Sequence, residues 1–222
     1  MIIARFCLLV IATVLLIGGC QPTVYQLMPD PIADQRSDYD LTPVEEKKGT
    51  VVIGYVTNRV IDTEHPERAY AKDFDLDLRF GDAFIQMGDG EESWEDILNL
   101  SLNPKRQEPI PLTLTGVYRQ GYLPASASII SPPPDIQRLM DQLNAYTDQS
   151  RIKELTIYVH GANTSFYRGA ALGAQYRHFS GRVAPVLLYA WPSAESIARY
   201  GKDVENIEAS VPAFVRFVKL MA

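Results

Sequence analysis

Cysteine is almost missing from this chain. Its 222 residues include two, Cys7 and Cys20, both near the amino terminus. Beyond Cys20 there is no thiol to form a disulfide, so the rest of the chain must rely on its apolar core. No long run of one charge sign occurs. The formal net charge is −6, or −7 without Arg5 (−6 − 1). This balance argues against nucleic acid as a partner, which demands a basic face. The apolar run Phe6–Ile17 is short of the roughly 20 residues that cross a bilayer. A G-x-S-x-G element, the turn on which many hydrolases carry a nucleophilic serine, occurs nowhere in the sequence.

What is present begins with that apolar run. A single positive charge, Arg5, precedes it, and Ile17-Gly18-Gly19-Cys20 ends it. Small residues after a short apolar stretch read as a cleavage site rather than a stop-transfer signal. The segment resembles a bacterial lipoprotein signal, which implies cleavage after residue 19 and acylation of Cys20. The expected partner is then a membrane, reached through lipid on Cys20 rather than by a spanning helix. Gln21, rather than Asp, after the cysteine resembles the outer-membrane sorting pattern of Gram-negative lipoproteins. The expected location is the cell envelope. Residues 20–48, rich in Pro, Asp, Gln and Ser, read as a tether. The folded domain is expected over residues 49–222.

Val51–Thr57 is a β-rich apolar run, a buried first strand followed by Asn58-Arg59. Phe74–Phe80 alternates apolar and charged residues, the mark of a half-buried antiparallel strand. Asp75 and Asp77 then share a wet face and lack the glycine turn of a calcium loop. Gly81 is expected to end that strand, with a further short one at 83–87. Ser93 caps a helix turn, and residues 109–118 supply more strand. Ile136, Leu139, Met140 and Leu143 recur at helical spacing. His65, beside Pro66 in a charged loop, reads as a solvated residue.

From Arg151 the pattern becomes strand, helix, strand, helix. Leu155–Val159 and Val183–Ala190 are apolar runs flanking a helix over 164–178, which is a βαβ unit. His160-Gly161-Ala162-Asn163 leaves the first strand, and Trp191-Pro192-Ser193 leaves the second at the same end of the sheet. Parallel sheets keep their chemistry at that end. Ser193 is expected to cap the next helix with Glu195 in its first turn. Pro212 is expected to split the final helical run into two helices that meet near Ser210. Ser165 reads as a helix-start residue, and His178 as a surface residue at a helix end.

Tyr158-Val159-His160-Gly161-Ala162-Asn163-Thr164-Ser165-Phe166 resembles the Y-V-H-G-x-N-x-S-F motif of a bacterial α/β-hydrolase family of unknown function. Tyr189-Ala190-Trp191-Pro192-Ser193 is similar to its F-x-W-P-S element. Tyr200, Asp203 and Ser210 match its later spacing, and Val56-Thr57-Asn58-Arg59 and Phe80-Gly81 its early elements. The resemblance implies an α/β fold, with a hydrolase-like, partly parallel sheet and flanking helices, of which this chain carries the N-terminal half. It also implies a Ser-Asp-His hydrolase acting on esters, lipids or peptides without metal or cofactor, with a small-molecule or lipid ester as substrate of the completed site. The nucleophile, acid and histidine of that triad have no counterparts here. Ala162 is the implied oxyanion donor through its backbone N–H, with His160, Gly161 and Asn163 bracing the loop. The expectation is an anchored, hydrolase-like protein without turnover of its own, or else a non-catalytic binding or scaffold lipoprotein.

Overall fold

A computed structural model describes residues 25–28 and 36–221. Residues 1–19, expected to be a leader, and Cys20 lie outside the described residues. Among the described residues six strands form one sheet: β1 (Tyr25–Leu27), β2 (Thr50–Ile61), β3 (Tyr70–Met87), β4 (Ile110–Leu123), β5 (Thr156–Val159) and β6 (Val186–Ala190), in the order β1-β4-β3-β2-β6-β5. Pairing is antiparallel from β1 through β2 and parallel for β2–β6 and β5–β6. The expected partly parallel sheet with flanking helices is therefore present.

Among the described residues five α-helices accompany it: α1 (Arg36–Asp40), α2 (Trp94–Ser101), α3 (Pro134–Gln149), α4 (Phe166–Phe179) and α5 (Tyr200–Met221). The α2 start is a capping box in which Ser93 Oγ accepts from the Asp96 N–H and Asp96 accepts from the Ser93 N–H. The β5–α4–β6 segment is the expected βαβ unit. Gly169, Ala170, Ala171, Gly173 and Ala174 on α4 are small enough for the helix to lie close on the sheet, over Ile53 and Leu188. On the opposite face α3 and α5 cover a second core of Val56, Leu78, Phe80, Leu187, Tyr189 and Phe217. Every residue of β6 is buried, as a strand with cores on both faces must be.

Four expectations change. First, β3 runs unbroken through Gly81. A Cβ at 81 would collide with the Tyr118 carbonyl oxygen, so the glycine permits a close approach and a register shift instead of a stop. Second, α5 is one helix that includes Pro212. The missing N–H weakens one turn, and the burial of Ala213 and Phe217 just beyond it holds the helix together. Third, the described part of the tether packs on the domain: β1 pairs with β4, Leu27 and Tyr39 are buried, and Thr42 Oγ1 donates to the Gly181 carbonyl at 2.7 Å. Fourth, His178 is fully buried beneath Tyr39 and Trp94, ring centroids 5.3 and 6.1 Å away. Part of that cover, Tyr39, comes from the segment read as tether.

Candidate functional site

Strands β2, β5 and β6 run in one direction, so their carboxyl ends meet at one rim of the sheet. Each delivers a polar segment there: Thr57-Asn58-Arg59 within β2, His160–Thr164 after β5, and Trp191–Glu195 after β6. The first helical turns of α5 bring Asp203 beneath them.

Asp203, 1% exposed, is the common acceptor. It receives the Asn163 N–H at 2.8 Å, the Ala194 N–H, and the Ser193 hydroxyl at 2.9 Å. Ser193 Oγ in turn accepts the Thr164 N–H at 3.1 Å. Ser193 therefore clamps two loops to α5 and is not the expected helix cap, since the chain stays non-helical until a 3₁₀ turn at Ile197–Arg199. Glu195, expected in a helical first turn, has φ of +55°. Its carboxylate holds Arg59 at 3.0 Å, with Lys72 3.9 Å away. Asn163 has φ of +53°, a conformation that asparagine tolerates better than most residues.

Arg59 is wholly buried. Its guanidinium donates to the carbonyls of Trp191 (3.1 Å), Thr164 (2.7 Å) and Ala71 (3.2 Å) as well as to Glu195. One planar fork with several donors ties the exits of all three strands together. Desolvation pulls its pKa down, and the carboxylates of Glu195 and Asp203 oppose that pull. Asn58 extends the seam to α5 by donating to Ser210 Oγ at 3.1 Å, and Thr57 Oγ1 donates to the Ala190 carbonyl.

His160 is 3% exposed and stacks on Trp191, centroids 5.0 Å apart at 18°. The Trp191 indole N–H donates to the His160 carbonyl at 2.8 Å. Its ring nitrogens face carbonyl oxygens, Nδ1 that of Gly161 at 2.8 Å and Nε2 that of Trp191 at 3.0 Å. Two acceptors favour a doubly protonated ring, but burial and then the nearby Arg59 charge outweigh them and push the pKa down to about 4. The ring is therefore neutral at pH 7 and holds the two loops to each other.

The sequence-derived positions thus converge in part. His160, Asn163 and Ala162 lie on one loop, and Thr164 Oγ1 donates to the Ala162 carbonyl at 3.0 Å. Among the described residues the Ala162 N–H has no hydrogen-bond acceptor. A Cβ on Gly161 would have nothing within 4 Å, so open space adjoins this loop. Ser165 caps α4 by accepting the Arg168 N–H at 3.1 Å. His178 sits elsewhere, with Nδ1 receiving from Arg182 at 3.2 Å and Nε2 against Ser101 Oγ at 2.9 Å, the pattern of a neutral ring. His65 is exposed and pairs with Glu67. Asp75 is engaged by Arg79, and Asp77 by Tyr122 and the Ala125 N–H.

The organising roles of Arg59, Glu195 and the Ser193–Asp203 pair escape local sequence reasoning. Two signals were present: Arg59, Ser193 and Asp203 lie in stretches that resemble the family's motifs, and an arginine at the end of an apolar strand cannot be buried without partners.

Residues 137–222 match the model of a family described as alpha/beta hydrolase of unknown function (DUF900). The match runs from α3 to the end of the chain and takes in both loops of the site, while Thr57–Arg59 lies before it. No curated protein and no solved structure matches the chain. With its mixed sheet and flanking helices, the fold is α/β-hydrolase-like.

Proposed function

We propose that this chain is an envelope lipoprotein, anchored through lipid on Cys20. On this reading it carries a hydrolase-type oxyanion loop but does not turn over esters by itself. The observation that carries the reading is the disposition of polar groups around Ala162. Its N–H has no acceptor among the described residues, and open space adjoins the neighbouring Gly161, as suits a loop that awaits a developing oxyanion. The hydroxyls and imidazoles that could form a nucleophile–base pair are otherwise engaged. Ser193 donates to Asp203, Ser165 caps a helix, and both nitrogens of His160 face carbonyls. Acyl transfer needs a hydroxyl on a free base, and these residues do not supply one.

A completed site would take a small-molecule or lipid ester. The direct test is hydrolysis of a p-nitrophenyl ester by the purified full chain. The expected rate equals that of buffer, and turnover unaffected by Ser165→Ala and Ser193→Ala would refute the reading. Palmitate labelling with fractionation tests the anchor, for which Cys20→Ser should abolish both label and membrane association.

A further inference from the structure

We infer that a notch between α3 and the sheet, walled by Leu139, Leu143 and Leu187 and bordered by Asp82, is a binding site for a small primary alkylammonium ion. It depends on neither the oxyanion loop nor the lipid anchor. Gly54 at its floor is three residues before Thr57, about 10 Å along β2 from the rim described above.

The notch follows from the side-chain pattern of three neighbouring strands. Asp82 on β3, Gly54 on β2 and Leu187 on β6 pair across the sheet in one row. Paired residues share a face, and Leu187 belongs to the core beneath α3 and α5, so the row points to that side. Its middle member has no side chain. Adjacent strands lie about 4.8 Å apart, so the backbones carrying Asp82 and Leu187 stand about 10 Å from each other. A Cβ at Gly54 would meet one side chain within 4 Å, that of Leu187 at 2.8 Å, and none on the Asp82 side. Helix α3 roofs this gap with Leu139, Leu143 and Tyr146, spaced by four and three and therefore on one stripe. Phe80, two residues before Asp82 and on the same face, also lines it. The cavity has a volume of about 230 Å³.

Asp82 gives the notch its sign. The residue is half-buried, and its side-chain hydrogen bond is to the neutral Gln120 amide. No cationic side chain pairs with it among the described residues. Arg177 and Glu46, the charged groups bonded to the Tyr146 hydroxyl, pair with each other at 3.2 Å. Burial lifts the Asp82 pKa above the usual carboxylate range, and the Gln120 hydrogen bond offsets that only in part. A desolvated carboxylate without a counter-charge is a standing cost, which a cation beside it relieves.

The surroundings decide which cation. A divalent metal wants several oxygen ligands, and the described residues hold no group of three His, Cys, Asp or Glu that could supply them. Leucine and phenylalanine walls would strip water from a small inorganic ion and offer nothing in return. An ammonium on a hydrocarbon chain suits both parts of the notch. Its N–H donors reach the carboxylate while its methylenes lie against the leucines. The volume sets the size. At roughly 30 Å³ for each heavy atom, a water molecule's share of the liquid, the cavity holds about seven, the number in n-hexylammonium. A carboxylate of the same length would be repelled by Asp82, and a neutral alcohol would leave its charge unpaired.

Binding of n-hexylammonium chloride to the purified full chain is measured by saturation-transfer NMR and calorimetry. A dissociation constant of about 1 mM or tighter is expected, which a ligand of this size can reach in a fitting site. Hexanoate and hexanol should each bind about 10-fold more weakly or worse. Asp82→Asn keeps the shape and removes the charge, and Gly54→Ala fills the gap; each should weaken hexylammonium about 10-fold or more. Asp148→Asn, which neutralises an exposed carboxylate on α3 outside the notch, should leave binding unchanged. Melting curves check that each variant folds, and the ligand series on the unaltered chain needs no variant. Equal binding of hexanol and hexylammonium overturns the inference, since the notch would then be merely apolar. So does hexylammonium binding that survives Asp82→Asn, or no binding at about 10 mM. Tighter binding of Nα-acetyl-lysine amide than of hexylammonium overturns the small-ion occupant and assigns the notch to a partner's lysine. Ester turnover and membrane association are separate readouts, and their outcome bears only on the proposed function.

Discussion

Asp203 shows how much one buried side chain can organise. It accepts two backbone N–H groups and a hydroxyl from two different loops, at 1% exposure. Asp203→Asn keeps the shape but replaces one charged acceptor oxygen with a donor, which would face an N–H or a hydroxyl. The expected loss is about 2–4 kcal/mol in urea unfolding, with the helices still formed by far-UV circular dichroism. A change below about 0.5 kcal/mol, on the scale of surface substitutions, would mean that the clamp is ornamental. His160 makes a prediction in pH. Its folded pKa is about 4, against about 6.5 for a free histidine. Above pH 6.5 the ring is neutral in both states, and its contribution is constant. Between pH 6.5 and about 4 the unfolded chain takes up a proton that the fold refuses, so stability falls as pH drops, by up to about 3 kcal/mol at the lower end. His178, also held well below its usual range by burial and Arg182, adds to the same slope. His160→Gln should make the decline shallower over that window, and an unchanged slope would assign the pH dependence elsewhere.

At the scale of elements, the clearest case is β3. Its alternation was legible over Phe74–Phe80, where Leu78 and Phe80 enter the core beneath α3 and α5, because burial of one face imposes a two-residue period. Its continuity was not, because a glycine in a strand reads locally as a break. The reason for that glycine is the Tyr118 carbonyl on the neighbouring strand, which has no signature within residues 74–87. Gly81→Ala should therefore destabilise by about 2–4 kcal/mol, since backbone rather than a flexible side chain must move. A neutral thermal shift would show that the bulge has slack. Ser193 is the same kind of case. Serine before an acidic residue and an apolar periodic run is the local pattern of a helix start, but a buried carboxylate ten residues on takes the hydroxyl instead.

For the whole molecule, the segment before β2 decides how much chain the domain needs. Leu27 fills the edge of the core, Tyr39 covers His178, and Glu46 pairs with Arg177 at 3.2 Å. A chain starting at residue 49 should unfold at lower urea than one starting at residue 25. The expected deficit is at least about 3 kcal/mol, from the apolar surface of these two side chains alone. Equal midpoints would return this segment to the role of a tether.

The sequence by itself determined the period-bearing parts: the apolar strands, the amphipathic helix α3, the βαβ order, and the loop that leaves β5 through His160-Gly161. Periodicity and strand exits follow from local backbone geometry, so they can be read one segment at a time. Only the tertiary structure decided which polar residues matter together. Arg59 lies about 100 or more residues from Thr164, Trp191 and Glu195, yet bonds to all three. A buried charge is tolerable only where enough acceptors converge on it, and that convergence belongs to the packed sheet rather than to any stretch of chain. The same holds for Ala162. Its place after a strand could be read in advance, but that its N–H has no acceptor among the described residues emerges only once the neighbouring groups have found their partners.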